Sequence, residues 1–408
     1  MQEKIIEYAR LIVETGVNLQ KGQKVLICCP VECADFARIL TDIAYEDGAA
    51  DVLLEWRDDH ISRAHWMCAD DSLFDSVYQW KADMRNSLAK EKTAYIFIVG
   101  DDPENLKGVD PERLRRYDVA SGRDLKYFYD METSNGFPWC VAAVPVKRWA
   151  DTVFPDAENS MQQLWDAIFK TVRITGDGKA PEKWKEHCNN LRNLAEKLNK
   201  LNLESLHYEN TLGTDLTVEL PENHNWLSGG DVTQDGVPFV ANMPTEEVFG
   251  APKKTGVNGK LCASMPLVLN GNIVEGIVFT FKDGRIEDIH ADSGEELLRA
   301  AVEADEGAHY LGEVALVPYD SPISNSKILF YETLFDENAS CHFAFGQAYS
   351  GCIKGGDFMK TEELIKAGIN AESCTHIDFM VGTSDLSITG KTRDGREVKI
   401  FEKGNFAI

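Results

Sequence analysis

Lys24-Val25-Leu26-Ile27-Cys28-Cys29, a helical pattern from Val31 to Tyr45, and then Ala50-Asp51-Val52-Leu53-Leu54-Glu55-Trp56 form the passage that decides the fold. A short apolar run, an amphipathic stretch and a second apolar run predict strand, helix, strand, the βαβ unit of a parallel sheet. Thr93-Ala94-Tyr95-Ile96-Phe97-Ile98-Val99-Gly100 extends the pattern, because a run this uniformly apolar reads as a strand covered on both faces. Trp139 to Val144 predicts a further strand. Helical spacing fills the intervals, from Glu3 to Thr15 with a stop at Gly16, from His60 to Met67 and from Ser76 to Leu88.

Two longer helical stripes follow, Met161, Leu164, Ile168 and Val172, then Trp184, Cys188, Leu191, Leu194, Leu198 and Leu201, both read as core faces. Beyond Leu201 the texture changes to short alternating segments. Asn210 to Leu220 alternates about a glycine, and Asn270-Gly271 and Asp283-Gly284 each separate two apolar runs, the strongest local signal for a hairpin. The expected architecture is an α/β N-terminal domain with a largely parallel sheet over residues 1–201, and an α+β domain rich in antiparallel strands over residues 202–408. A chain of 408 residues exceeds the size at which one core usually stops growing, which agrees with two domains.

Composition excludes several classes of function. With 42 Lys and Arg against 67 Asp and Glu the formal charge is −25, which repels phosphate backbones and anionic headgroups, so no nucleic acid and no membrane surface is expected as a partner. Met1 to Tyr8 lacks the basic start and apolar run of a signal peptide, and no stretch approaches the ~18 apolar residues of a membrane span, so a cytoplasmic protein with reduced thiols is expected. Cys28, Cys29 and Cys33 cluster without a second pair or a His at zinc spacing, and read as buried small hydrophobes. There is no glycine-rich phosphate fingerprint, and Pro30 and Glu32 stand where a nucleotide site wants glycines. His60 and His65 read as surface residues, and His187 has no acidic partner at ligand spacing.

The candidate chemistry lies in the second half. Asn242-Met243-Pro244-Thr245-Glu246-Glu247-Val248-Phe249 sets two adjacent carboxylates between turn formers and an apolar pair. Glu313 opens an apolar strand, Gly312 to Pro318, where a lone carboxylate is costly unless paired or metal-bound. His342, Gly346 and Tyr349 share a face if the segment is helical. His376-Ile377-Asp378 alternates as a strand, which places His376 and Asp378 on one side about 6–7 Å apart. Singly, each has a structural explanation. Together Glu247, Glu313, His342, His376 and Asp378 make a mixed nitrogen and oxygen set suited to Zn, Co or Mn, and several carboxylates are what two neighbouring cations require.

Pro244 to Phe249, Gly312 to Ile323, Glu337 to His342 with Ala344 to Tyr349, and His376 to Asp378 resemble, in order and spacing, the signature blocks of the thermophilic aminopeptidase family of metallopeptidases. The first half resembles that family more loosely, through Leu26 to Pro30 and Ile96 to Gly100. The resemblance implies metal ligands at Glu247, Glu313, His342, His376 and Asp378, with Tyr349 at the site. It implies a homodimer whose non-catalytic domains help enclose the active sites, and release of N-terminal amino acids from peptides. Two divalent ions (Zn, Co, Mn or Mg) would activate a water, with Glu313 and Asp378 bridging, Glu246 as general base and Tyr349 steadying the oxyanion or binding a metal. The alternatives are a metal-dependent amidohydrolase of a small amide and a non-enzymatic metal-binding protein.

Overall fold

The computed structural model describes residues 1–408, which divide into two compact units. The first comprises Met1–Cys188, Gly230–Thr245 and Ile328–Leu334, and the second Asn189–Gly229, Glu246–Lys327 and Phe335–Ile408. The helix Ala180–Leu201 therefore contributes to both.

In the first unit Lys24–Pro30 pairs in parallel with Asp51–Arg57 on one side and with Ala94–Val99 on the other. Trp139–Ala143 continues the parallel sheet, and Asn242–Met243 completes it as a short fifth strand beside Trp139–Ala143. Local sequence explains the exposures. Lys24–Pro30 is central and buried almost throughout, whereas Asp51–Arg57 is an edge strand that leaves Leu54 and Trp56 exposed. The predicted helix after the first strand begins with a 3₁₀ turn at Val31–Cys33 and runs as α-helix over Ala34–Glu46. Cys28, Cys29 and Cys33 are free thiols in the interior. His60 is exposed, and the ring of His65 lies edge-on to Phe74 at 5.3 Å.

The second unit carries an eight-stranded and a five-stranded sheet. Both hairpin signals close as expected. Asn270 and Gly271 have φ of 50° and 71°, and Asp283 and Gly284 have 49° and 86°, consecutive left-handed residues that Asn, Asp and Gly tolerate best. The fold class expected from the sequence, parallel α/β followed by antiparallel-rich α+β, is the one observed.

The five-stranded sheet positions the site. Its order runs from His376–Met380 through His342–Gly346, Leu311–Leu316 and Val248–Gly250 to Leu227–Ser228. The first four strands are antiparallel to their neighbours. Directly opposed residues share a face, so Glu313, Ala344 and Asp378 form one row and Ala315, His342 and Met380 the next. Phe343, Phe345, Phe379 and Val314 point the other way and are all but fully buried. There Phe379 meets Phe279 of the eight-stranded sheet at 5.0 Å, and Phe343 meets Tyr208 at 5.2 Å. Burying each such aromatic contributes about 1.5–3 kcal/mol, so the sheet's apolar face anchors its polar one.

Candidate metal centre

His342 lies on a strand, which corrects the helical expectation for the segment from His342 to Tyr349. The physical reason is period-2 alternation: His342, Ala344 and Gly346 face the site while Phe343 and Phe345 enter the core. Gly346 pairs with His376 and has φ +108°, and a Cβ there would fall 2.1 Å from the Thr375 carbonyl oxygen. The glycine is thus required by backbone conformation and by closeness to the neighbouring strand. Tyr349 follows the strand, with its ring 5.3 Å from that of His376 and 6.1 Å from that of Phe249.

The five residues named as ligands come together. His342 Nε2 is 3.1 Å from Glu247 Oε2 and 3.3 Å from Glu313 Oε1. His376 Nε2 is 3.4 Å from Asp378 Oδ1 and 3.8 Å from Glu313 Oε2. The two oxygens of Glu313 therefore face different imidazoles. Three donor groups fall within ion-binding reach: Glu247, Glu313 and His342; Glu313, His376 and Asp378; and Glu337, His342 and Asp378. Glu337, on a 3₁₀ turn over Glu337–Ala339, is the residue that sequence reasoning missed. It stood inside a quoted block, but no periodicity marks a carboxylate in a single turn.

Backbone carbonyls orient both imidazoles. His342 Nδ1 donates to the Glu337 carbonyl oxygen at 2.8 Å, and His376 Nδ1 donates to that of Gln347 at 2.7 Å. A carbonyl only accepts, so Nδ1 carries a proton in each ring and Nε2 is the nitrogen turned toward the carboxylates, the one a metal would take. Glu246 is buried beside this group, but its carboxylate is in none of the three donor sets; its backbone N–H donates to Asn338 Oδ1 at 2.7 Å.

The electrostatics follow from the crowding. Burial pushes the Glu313 carboxyl up, and Glu247 pushes it further; burial likewise raises Glu337 well above the carboxylate range, with Asp378 and Glu247 adding to the effect. Burial disfavours the His376 cation, yet Asp378 and Glu313 outweigh it and lift the imidazole to about 10. Burial also raises Asp378, and His376 more than reverses that. Glu247, Glu313 and Asp378 pair with the two imidazoles, and His342 acts on Glu337 electrostatically, so four carboxylates face two imidazoles. That surplus of negative oxygen donors fits divalent cations, which need no further protein charge to be held there.

The profile of the family described as thermophilic metalloprotease (M29) matches residues 1–406. The chain belongs to that family. Family members similar to it include aminopeptidase AmpS of Bacillus subtilis (strain 168), 45% identical over 408 residues covering 100% of this chain and 99% of the relative. Aminopeptidase PepS of Streptococcus thermophilus is 43% identical over 411 residues, 100% of this chain and 98% of the relative. Among solved structures, wild-type AmpT from Thermus thermophilus superposes with a TM-score of 0.91 at 35% identity, covering 100% of both chains. As an M29 metalloprotease the chain uses divalent metal, and the clustered carboxylates and imidazoles give it a suitable donor set. No helix is long and apolar enough to cross a membrane.

Proposed function

We propose that this M29 metalloprotease is an aminopeptidase that releases N-terminal amino acids from peptides at a two-cation site held by Glu247, Glu313, His342, His376 and Asp378, with Glu337 as a sixth donor. The observation that carries the reading is the shared carboxylate: Glu313 belongs to the group with Glu247 and His342 and also to the group with His376 and Asp378. A carboxylate that belongs to two neighbouring donor sets could serve a pair of cations held there. Divalent cations bound there supply Lewis acidity, lowering the pKa of a water and polarising the scissile carbonyl.

The protein's own groups then divide the remaining work. Glu246 takes the proton from the attacking water and returns it to the leaving amine, because its carboxylate stands outside the donor sets while its backbone is fixed against Asn338. Tyr349, half-buried over His376, directs its phenol toward the developing oxyanion. The buried Phe343, Phe345 and Phe379 keep the sheet rigid beneath these groups. The mixed nitrogen and oxygen donors support zinc or cobalt as the working ions, the resemblance of the signature blocks implies a homodimer, and the free thiols are in keeping with a cytoplasmic location.

The test is hydrolysis of leucyl p-nitroanilide by chelated protein reloaded with Co²⁺ or Zn²⁺, in parallel with the N-acetylated analogue. Turnover that requires both the metal and the free amine is expected. Equal cleavage of the acetylated compound would assign the site to a general amidohydrolase, and no cleavage with any divalent ion would refute the catalytic reading. Glu246→Gln should reduce kcat by about 10²–10⁴-fold, the usual contribution of a positioned base, and leave metal content unchanged; full activity in that variant removes Glu246 from the mechanism.

A further inference from the structure

Asn338 is completely buried, on the same turn as Glu337 and hydrogen-bonded to the segment that carries Glu246 and Glu247. Its side-chain Oδ1 accepts the backbone N–H of Glu246 at 2.7 Å, and its Nδ2 donates to Glu337 Oε1 at 3.2 Å. The first bond fixes the orientation of the amide, because a flipped side chain would set its NH₂ against the Glu246 N–H. With that orientation fixed, Nδ2 must face the Glu337 carboxylate. Ser321 Oγ donates to the Asn338 carbonyl at 3.4 Å, tying the same residue to the start of the helix Pro322–Ser326.

We propose that Asn338 is a positioning residue for the metal centre: its amide ties the backbone of the Glu246–Glu247 pair to the carboxylate of Glu337, so that both segments present their donors at one fixed spacing. The inference rests on the proposed metal site. Glu337 accepts from Asn338 at Oε1 while also belonging to the donor group with His342 and Asp378. The carbonyl of Glu337 also holds His342 Nδ1, so the turn that Asn338 secures orients one imidazole and one carboxylate together. A neutral amide is the suitable partner here. A cation would compete with the bound metal for Glu337, and an acid would repel the neighbouring carboxylates.

Asn338→Asp is nearly isosteric and keeps the acceptor for the Glu246 N–H, and it sets an acid where the amide donated to Glu337, the repelling arrangement described above. The measurement is competitive titration of chelated protein with Co²⁺ or Zn²⁺ against a chromophoric chelator at pH 8, with circular dichroism of the same samples. Glu247→Gln, which removes a proposed ligand, is measured in parallel. Expected are a folded Asn338→Asp protein and a metal affinity 10–100-fold weaker than that of the parent chain, the usual effect of removing a hydrogen bond to a metal ligand. Affinity within threefold of the parent in Asn338→Asp, with a clear loss in Glu247→Gln, overturns the role of Asn338 and leaves the site standing. Unchanged affinity in both variants overturns the site and this inference together. If Asn338→Asp does not fold, Asn338→Ser is titrated in its place and is held to the same 10–100-fold loss.

Discussion

Glu337→Gln should make the chelated protein more stable and the metal-loaded protein no more stable than the parent. Glu337 is buried with Asp378, Glu247 and Glu313 as electrostatic neighbours, and its carboxyl is raised well above the ordinary range by burial first and by those acids second. At pH 8 the unfolded chain ionises this group, so folding must either take up a proton or bury a fourth negative charge. Each unit of displacement represents about 1.4 kcal/mol. Burying one such charge costs several kcal/mol and His342 offsets part of this, so a gain of about 2 kcal/mol on neutralising the group is expected. His342 itself is not stranded, because Glu247 and Glu313 remain at 3.1 and 3.3 Å. For a unit of this size that gain corresponds to roughly 4–8 °C in the unfolding midpoint. Added metal acts in the opposite direction. Free metal at 100 times its Kd stabilises the parent by about 2.7 kcal/mol, whereas a variant binding 100-fold more weakly gains only about 0.4 kcal/mol, which cancels the advantage. The assay is calorimetry at pH 8 with chelator and then with increasing Co²⁺. A variant less stable than the parent under chelation, with an undiminished response to metal, would refute the reasoning.

His376→Ala should reduce the metal content from two ions to one per chain by elemental analysis, because it removes one of the three donors in the group with Glu313 and Asp378 and leaves the group of Glu247, Glu313 and His342 intact; retained stoichiometry would exclude His376 as a ligand. Metal loading at pH 7.5 should release at least one proton per chain, since the His376 imidazole titrates near 10 and must be neutral at Nε2 to bind a cation; calorimetry in buffers of different ionisation enthalpy measures the number. His187 adds a pH dependence elsewhere. Burial pulls its imidazole down to about 4, with the Arg173 guanidinium adding to the effect. The unfolded histidine takes a proton near pH 6.5 and the folded one does not, so this contribution is fully present above pH 6.5 and is lost as the pH falls toward 4, by roughly 3 kcal/mol at most. In His187→Gln that part of the acid slope in denaturant unfolding should disappear; an unchanged slope would show that His187 does not titrate with folding.

Much of this was legible because local chemistry and the tertiary fold agree. Lys24–Pro30 and Ala94–Val99 read as buried strands from their apolar uniformity alone, and Asn270-Gly271 and Asp283-Gly284 are hairpin turns because few other pairs adopt two successive positive φ angles. His342–Gly346 was misread for a physical reason. Spacings of four and seven suit a helix, but four is also an even number, and the alternating Phe343 and Phe345 were the stronger sign of a strand with one face in the core. Asn242–Met243 could not be read as part of the parallel sheet, because two residues carry no periodicity and their pairing with Val141 and Ala142 depends on chain folded far away in sequence. Glu337 escaped for a related reason: its proximity to His342 and Asp378 comes from a turn, where spacing predicts no common face.

The strand geometry explains why five donors from four distant segments can be placed so closely. Glu313 and Asp378 lie in one cross-strand row, with Ala344 on the strand between them. Neighbouring strands are about 4.8 Å apart, so two carboxylates separated by one strand stand about 10 Å apart at the backbone and converge through their side chains above the alanine. A larger residue at 344 would fill that space. His376 faces Gly346 in the same way, and His342 shares its row with Ala315. Small residues therefore lie beneath the site and aromatic ones on the opposite face of the same strands. Such an arrangement suits chemistry in which the donors must not move when charge changes at the centre, because shifting any one of them would require shifting a strand whose reverse side is packed into the core.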